Sequence, residues 1–152
     1  MIQRIQSVYL LLTIALLIAV FFLPVGAFDN TSGSYEYTAF SIKKVGIANV
    51  DNFPVWLLGI VCVISMLLTL ITIFLYKKRL IQIRLCIFNA FLFVVFYLVY
   101  ACFLFIGING IKLSFDFSYG LAFPFIAFIL DLLAINAIHK DENLVKSLDR
   151  IR

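Results

Sequence analysis

One acidic residue stands inside a long apolar run near the end of the chain. Asp131 lies in a segment from about residue 122 to residue 138, with FPFIAFILDLLAINAI at its centre. A carboxylate in the hydrocarbon of a membrane costs a few kcal/mol or more unless it is paired, protonated or hydrated. Asp131 is therefore the first candidate for proton binding, ligand binding or hydrogen bonding between helices.

Other polar residues fall at a similar depth in other apolar runs. At about 1.5 Å of rise per residue, Asp131 and its counterparts lie about 7–12 Å from one end of their segments. The counterparts are Asn89, Thr69, Thr72 and Tyr9, with Thr13 slightly deeper. Polar groups buried in lipid usually meet across helices. We expect one polar cluster, in which Asp131 faces Asn89 across an antiparallel helix pair.

Three interpretations of this cluster remain open. In the first, it is a packing lock, in which Asp131 accepts hydrogen bonds from Asn89, a threonine or Tyr9, as the carboxylate or as the neutral acid. In the second, Asp131 is a proton or ligand site, because acids inside membranes often mark transport or relay pathways. In the third, Asp131 reaches the membrane surface or faces a partner subunit.

The remaining residues give no pattern for catalysis or metal binding. His139 is the only histidine, no ligand set surrounds it, and we expect its neighbours Asp141 and Glu142 to be solvated. The sequence has no glycine-rich phosphate loop, nucleophile elbow or Ser/His/Asp set. The cysteines Cys62, Cys86 and Cys102 lie in apolar runs without a C-x-x-C spacing, which favours packing over redox chemistry. We therefore expect no enzyme activity, no cofactor and no metal.

The composition indicates that lipid is the solvent for most of the chain. Of 152 residues, 64% are hydrophobic and 13% are charged, with a mean hydropathy of +1.13. A soluble domain is only about half apolar and about a quarter charged. The net charge of +4 does not predict nucleic-acid binding, because the basic residues flank apolar runs.

Four apolar runs predict four membrane-spanning helices in a single domain of residues 1–152. The spans are about 5–24, 54–76, 82–106 and 119–138, and the predicted fold is an all-α antiparallel four-helix bundle. The first run resembles a signal peptide, but it is nearly twenty residues long, whereas the apolar region of a signal peptide has about 7–15. We expect it to be retained as a helix.

The outer loops, residues 28–53 and 107–118, carry strand patterns. Residues 35–42 and 45–50 are rich in β-branched and aromatic side chains, and residues 111–118 alternate apolar and polar. A lone strand would leave backbone groups unpaired, so we expect one small antiparallel sheet built from both loops. The tail, residues 139–152, has helical spacing and suits either the lipid headgroups or a partner.

The distribution of basic residues predicts the orientation. Nine of them fall on the side of the termini and the middle link, and three on the loop side. The positive-inside rule then places both termini in the cytoplasm and both stranded loops outside it.

Three stretches carry a resemblance to a known family. The opening MIQRIQSVYL, Asn89 in the third span and the closing KDENLVKSLDRIR are similar to a domain-of-unknown-function family of small four-span proteins. The resemblance implies the inner membrane of a Gram-negative bacterium and brings no activity or site residue. The architecture also resembles claudin-like four-span proteins. The first loop lacks their cysteine pair and W-x-x-W motif, so a junction-forming function is not implied.

Two functions from different classes follow. The leading hypothesis is a non-enzymatic scaffold or accessory subunit that binds the lipid bilayer and another membrane protein or a second copy of itself. The alternative is a small proton-coupled transporter centred on Asp131. A membrane thiol oxidoreductase is disfavoured, because such proteins need paired cysteines at the outer face.

Overall fold

Four long helices and three short strands make up the part of the chain that the structure describes. The computed structural model describes residues 3–30, 33–40, 42–44, 56–76, 78–106 and 118–149. The helices are α1 (Gln3–Phe22), α2 (Trp56–Phe74), α3 (Arg79–Ile106) and α4 (Tyr119–Asp149). The strands are β1 (Gly26–Asn30), β2 (Gly33–Tyr37) and β3 (Ile42–Lys44), between α1 and α2. The four predicted helices are thus present.

The buried residues of each helix recur at alternating steps of three and four. The stretches that show this spacing are residues 6–20 of α1, 58–72 of α2, 82–100 of α3 and 124–141 of α4. This average period of about 3.5 residues is that of helices packed as in a left-handed coiled coil. The sequence therefore gives each helix one continuous stripe for the bundle interior.

The outer surface of the bundle is apolar over the length of the helices. Each helix contains a segment long and apolar enough to cross a membrane: Ile5–Phe22, Trp56–Phe74, Arg79–Phe103 and Tyr119–Asn143. Side chains such as Leu11, Leu67, Phe91 and Ile126 are exposed on this surface. Soluble monomers rarely expose continuous apolar patches above a few hundred Å². This apolar surface is therefore of the kind that contacts lipid in a membrane.

The helices pack in the ring order α1–α2–α3–α4, and α4 closes the ring against α1. Hydrogen bonds at opposite ends of α1 reach opposite ends of α4, so these two helices are antiparallel: Gln6 donates to the carbonyl of Ala137, and Ser118 donates to that of Pro24. We call the end that holds Pro24 and the strands the strand end. The end that holds the link between α2 and α3 is the link end.

The predicted sheet from the two outer loops is wrong. The sheet in the structure has the order β1-β2-β3, and all of its strands come from residues 26–44. β1 pairs antiparallel with β2, with Gly26 opposite Tyr37, and β2 pairs antiparallel with β3, with Tyr35 opposite Lys44. The partner expected from the second loop is therefore supplied by β1. The predicted strand over 45–50 lies outside the described residues, as does the predicted strand over 111–118 except for Ser118, which is not in a strand.

The predicted strand over residues 35–42 is interrupted, because the chain leaves the sheet to pack on the bundle. Ala39 is fully buried in the core, and the Phe40 ring stacks on Phe21 with centroids 5.2 Å apart. A methyl group at Gly59 of α2 would overlap the Phe40 ring and lie 2.8 Å from the carbonyl oxygen of Ala39. Glycine at position 59 therefore makes room for this close approach.

A second glycine permits a close approach at the start of α4. A methyl group at Gly120 would overlap the Pro24 carbonyl oxygen and lie 2.9 Å from its carbonyl carbon. The Ser118 hydroxyl donates to the same oxygen at 2.6 Å. The chain leaving α1 is thus held against the beginning of α4.

Proline 124 interrupts the hydrogen-bond ladder one turn further along α4. Proline has no N–H, so the carbonyl of residue 120 loses its usual donor and the helix is open to bending. The Tyr97 hydroxyl of α3 donates to the neighbouring Leu121 carbonyl at 2.7 Å. This bond supports the backbone of α4 at the weakened turn and ties it to α3.

We expect Gly120→Ala to lower the free energy of unfolding by about 1–3 kcal/mol, because the added methyl group forces backbone atoms apart. The measurement is a denaturation curve of the purified protein in a maltoside detergent. Leu132→Ala, on the exposed face of the same helix, is the control and should change stability by less than about 0.5 kcal/mol. Equal effects of the two substitutions would contradict the close-packing role of Gly120.

Candidate functional site

Asn89 is the centre of a buried hydrogen-bonded cluster that joins three helices. Its Nδ2 donates to Thr69 Oγ1 of α2 at 3.1 Å and to Asp131 Oδ2 of α4 at 3.3 Å. Its Oδ1 accepts from the Ser65 hydroxyl of α2 at 2.6 Å. The amide thus uses both N–H donors and its carbonyl on three side chains from two neighbouring helices.

Asp131 is fully buried, and its two carboxyl oxygens differ. Oδ2 accepts the Asn89 hydrogen bond, whereas Oδ1 is buried and has no hydrogen-bond partner among the described residues. The thiol of Cys86, one turn from Asn89 on α3, also contacts the carboxyl group. A buried carboxylate with so few donors is poorly solvated by its surroundings.

Thr72 and Tyr9 do not join the hydrogen bonds of Asn89. The Thr72 hydroxyl is buried one turn from Thr69, toward the link end, and donates to the carbonyl of Leu68 at 2.7 Å. Tyr9 is half-buried and packs against an apolar cluster at the link end. Of the five predicted residues, the structure therefore brings together Asp131, Asn89 and Thr69. Whether they have a functional role stays a prediction.

Helix α1 contributes Thr13 to the same level of the bundle. Gln6 meets Ala137 across the α1–α4 pair, and Thr13 lies seven residues further along α1. Seven residues span about 10.5 Å, which is close to the separation of residue 137 from Asp131 along α4. Thr13 is fully buried, and its hydroxyl donates to the carbonyl of Tyr9 at 3.0 Å. All four helices thus place a polar side chain in one layer.

Two members of the cluster, Ser65 and Cys86, were missed at the sequence level. Ser65 lies four residues before Thr69, and Cys86 lies three residues before Asn89, so both continue the buried stripes of their helices. The Ser65 carbonyl also accepts the Thr69 hydroxyl at 2.8 Å. The alternating three-and-four spacing would have predicted both positions.

Apolar clusters border the polar layer on both sides. Toward the strand end lies a large cluster that includes Leu17, Leu58, Phe93 and Phe96. Toward the link end lies a smaller cluster, which consists of Leu10, Ile83, Cys86, Ala134 and Ile138. Asp131 is therefore separated from both ends of the bundle by packed apolar side chains.

A second polar layer lies at the link end, where solvated charges were predicted. Asp141 and Glu142 are buried, at 8% and 9% exposure, so the prediction that they are solvated is wrong. The reason is that α4 continues to Asp149, so this part of the predicted tail extends the helix. Arg79 of α3 reaches Asp141 Oδ2 at 3.3 Å and donates to the Asp141 carbonyl at 3.3 Å. Gln6 and Gln82 are buried near the same end.

The two layers fix the register of α3 against α4. Asn89 meets Asp131 in the first layer, and Arg79 meets Asp141 in the second. Each step is ten residues on either helix, or about 15 Å. A shift of one turn would break both contacts at once.

The chemistry available in the polar layer is limited to hydrogen bonding and binding of positive charge. Within the described residues, no group of three or more His, Cys, Asp or Glu side chains is arranged for a metal ion. His139 is exposed on the outside of α4. The layer can lock the helices together, and the unpartnered carboxyl oxygen can accept a single cation.

We expect Asp131→Asn to change the free energy of unfolding by less than about 1 kcal/mol, since the amide oxygen can still accept from Asn89. Asp131→Leu should cost about 1–3 kcal/mol, because it leaves the Asn89 N–H buried without an acceptor. Denaturation curves in detergent would measure both. Thr72→Val, which removes a buried hydroxyl outside the cluster, is the control and should cost less than Asp131→Leu. A harmless Asp131→Leu substitution would rule out the lock.

The comparisons with known proteins identify a family and nothing more specific. No curated protein matches the sequence. A family model described as a domain of unknown function (DUF4293) matches residues 2–151, which includes all four helices and the polar layer. The predicted resemblance to an uncharacterised family is confirmed, and the chain belongs to the DUF4293 family.

Proposed function

We propose that this protein is a non-enzymatic integral membrane protein that serves as a scaffold or accessory subunit for other membrane proteins. The observation that carries the proposal is that Asn89 makes its hydrogen bonds to side chains within the polar layer. Both N–H groups and the carbonyl oxygen of Asn89 form hydrogen bonds, to Thr69, Asp131 and Ser65. Apolar clusters lie on both sides of this layer along the bundle. Such an interior supports a rigid bundle whose function lies on its outer surfaces.

The strand end offers one of these surfaces. The chain after α1 packs closely against the helices at Gly59 and Gly120. The sheet of β1, β2 and β3 is therefore firmly attached to the bundle. Glu36 is exposed on β2, and Phe40, four residues later, is half exposed. A firmly attached surface can bind a partner with little ordering cost. The link end, with Lys140 exposed on α4, is the other surface.

Purification of the tagged protein in mild detergent should recover another membrane protein in fixed stoichiometry. Glu36→Lys and Lys140→Glu reverse one exposed charge at opposite ends of the bundle, so loss of the partner from one variant alone would show which end binds. Asp131→Asn, which is expected to preserve the fold, should retain the partner. Recovery of the protein alone, with no associated membrane protein, would count against the scaffold function.

The proposed location is the inner membrane of a Gram-negative bacterium, with both termini in the cytoplasm. The nine-to-three bias of basic residues supports this orientation. Aromatic side chains at the helix ends also fit the two interfaces of a membrane, with Trp56 and Tyr119 at the strand end and Tyr76 at the link end.

In intact cells whose outer membrane is permeabilised, a membrane-impermeant maleimide should label Glu36→Cys and leave Lys140→Cys unlabelled. Both positions are exposed, so accessibility to the reagent reports the side of the membrane. Lysis should make both variants reactive, which controls for expression and folding. The reverse labelling pattern would overturn the orientation.

A small proton-coupled transporter is the second candidate, favoured by the unpartnered Oδ1 of Asp131. Transport requires water to reach this oxygen, so one of the two apolar clusters has to open during the cycle. The variant that separates the two functions is Asp131→Asn. If this variant keeps both its fold and the cellular phenotype of the wild type, the transporter is excluded.

A further inference from the structure

We propose that Asp131 binds one monovalent cation at its buried Oδ1, supplied either as a proton or as an alkali metal ion such as Na⁺. Such a cation would occupy the polar layer, a property beyond the scaffold function. Oδ1 is buried without a hydrogen-bond partner in a side chain that is fully enclosed.

No basic side chain of the described bundle supplies the missing charge. The cation whose ion pair the structure shows is Arg79, which lies ten residues from Asn89 along α3, or about 15 Å away. It is already paired with Asp141. The buried polar residues of the Asp131 layer are uncharged hydroxyl, amide and thiol groups. A buried charge without a counter-charge is strongly disfavoured, so the charge has to come from outside the described helices.

The amide and hydroxyl donors around Asp131 are also in use. Both N–H groups of Asn89 donate, one to Thr69 and one to Asp131 Oδ2. The hydroxyl of Ser65 donates to Asn89, and the hydroxyl of Thr69 donates to the Ser65 carbonyl. These groups retain lone pairs but no further protons. These groups therefore offer lone pairs to an added positive charge, and the further side chain in contact with the carboxyl group is the Cys86 thiol, which is only a weak donor.

Few other ionisable groups face Asp131 from the packed helices. On α3 the neighbour is the thiol of Cys86. On α1 the described polar residues nearest in level are Thr13 and, one turn toward the link end, Tyr9. On α2 they are Ser65 and Thr69, which do not ionise in water. The carboxyl group is thus the acidic group of this layer, and it determines where the cation binds.

The test compares wild-type protein with Asp131→Asn by thermal unfolding in a maltoside detergent, in two series. The first varies Na⁺ against choline at constant ionic strength and pH. The second varies pH without alkali metal ions. Binding of Na⁺ to the folded state raises the wild-type midpoint along a saturating curve. Binding of a proton to the folded state makes the folded-to-unfolded ratio fall as pH rises, by up to about tenfold per pH unit for one proton.

Either response supports the proposal when Asp131→Asn lacks it, and the series that responds identifies the cation. Thr72→Val is the matched control, because it removes a buried hydroxyl outside the cluster and should respond as the wild type does. Identical behaviour of wild type and Asp131→Asn in both series would overturn the proposal. That result would leave the scaffold function untouched, since the scaffold is tested by recovery of a partner.

Discussion

The hydrogen bond between Asn89 and Asp131 is the contact on which the arrangement of the bundle depends. In lipid the hydrophobic effect does not drive helices together, because their apolar faces are already in an apolar solvent. Packing and interhelical hydrogen bonds have to specify the neighbours and the register. One amide side chain here contacts α2 through two residues and α4 through Asp131. The buried stripes on either side provide close packing once that register is set.

The polar layers and apolar clusters alternate along the axis of the bundle. From the strand end, the order is the large apolar cluster, the Asn89 layer, the smaller apolar cluster and the Arg79–Asp141 layer. The two polar layers differ in solvent access, since Asp131 is fully enclosed whereas the Arg79 side chain is 26% exposed. The outer ion pair is therefore partly screened by solvent on its Arg79 side. We expect a substitution in the Asn89 layer to change the stability of the bundle more than a substitution in the Arg79–Asp141 layer.

The depth of each residue along its helix predicted the pairing of Asn89 with Asp131. The rotation of each helix about its axis and the tertiary contacts, which depth does not give, determine the other members of the cluster and the course of the chain in the first loop. Equal depth was enough to pair Asn89 with Asp131, because each helix has a fixed rise per residue and both depths were counted from the same end of the bundle. Depth alone could not separate Thr72 from Thr69, which are three residues apart. The sheet was mispredicted because alternation identifies a strand without identifying its partner. The burial of Ala39 and Phe40 against Gly59 is a tertiary contact that no local pattern in residues 35–42 reveals.

The extensive packing of α1 against α4 has a consequence for the assembly of the chain in the membrane. These two helices share the largest interface of the bundle, yet they are the first and the last to leave the ribosome. The part of the α1 surface that packs against α4 therefore lacks this neighbour until residues 119–141 have been inserted. The packing of α1 against α4 closes the ring late, because α4 is inserted after the other three helices. The two helices are far apart in the sequence, so the entropy cost of closing the long intervening loop makes this step slow. During that interval α1 is open to other membrane helices, so the same face that completes the bundle is the one most exposed to incorrect pairing or to a chaperone of membrane insertion.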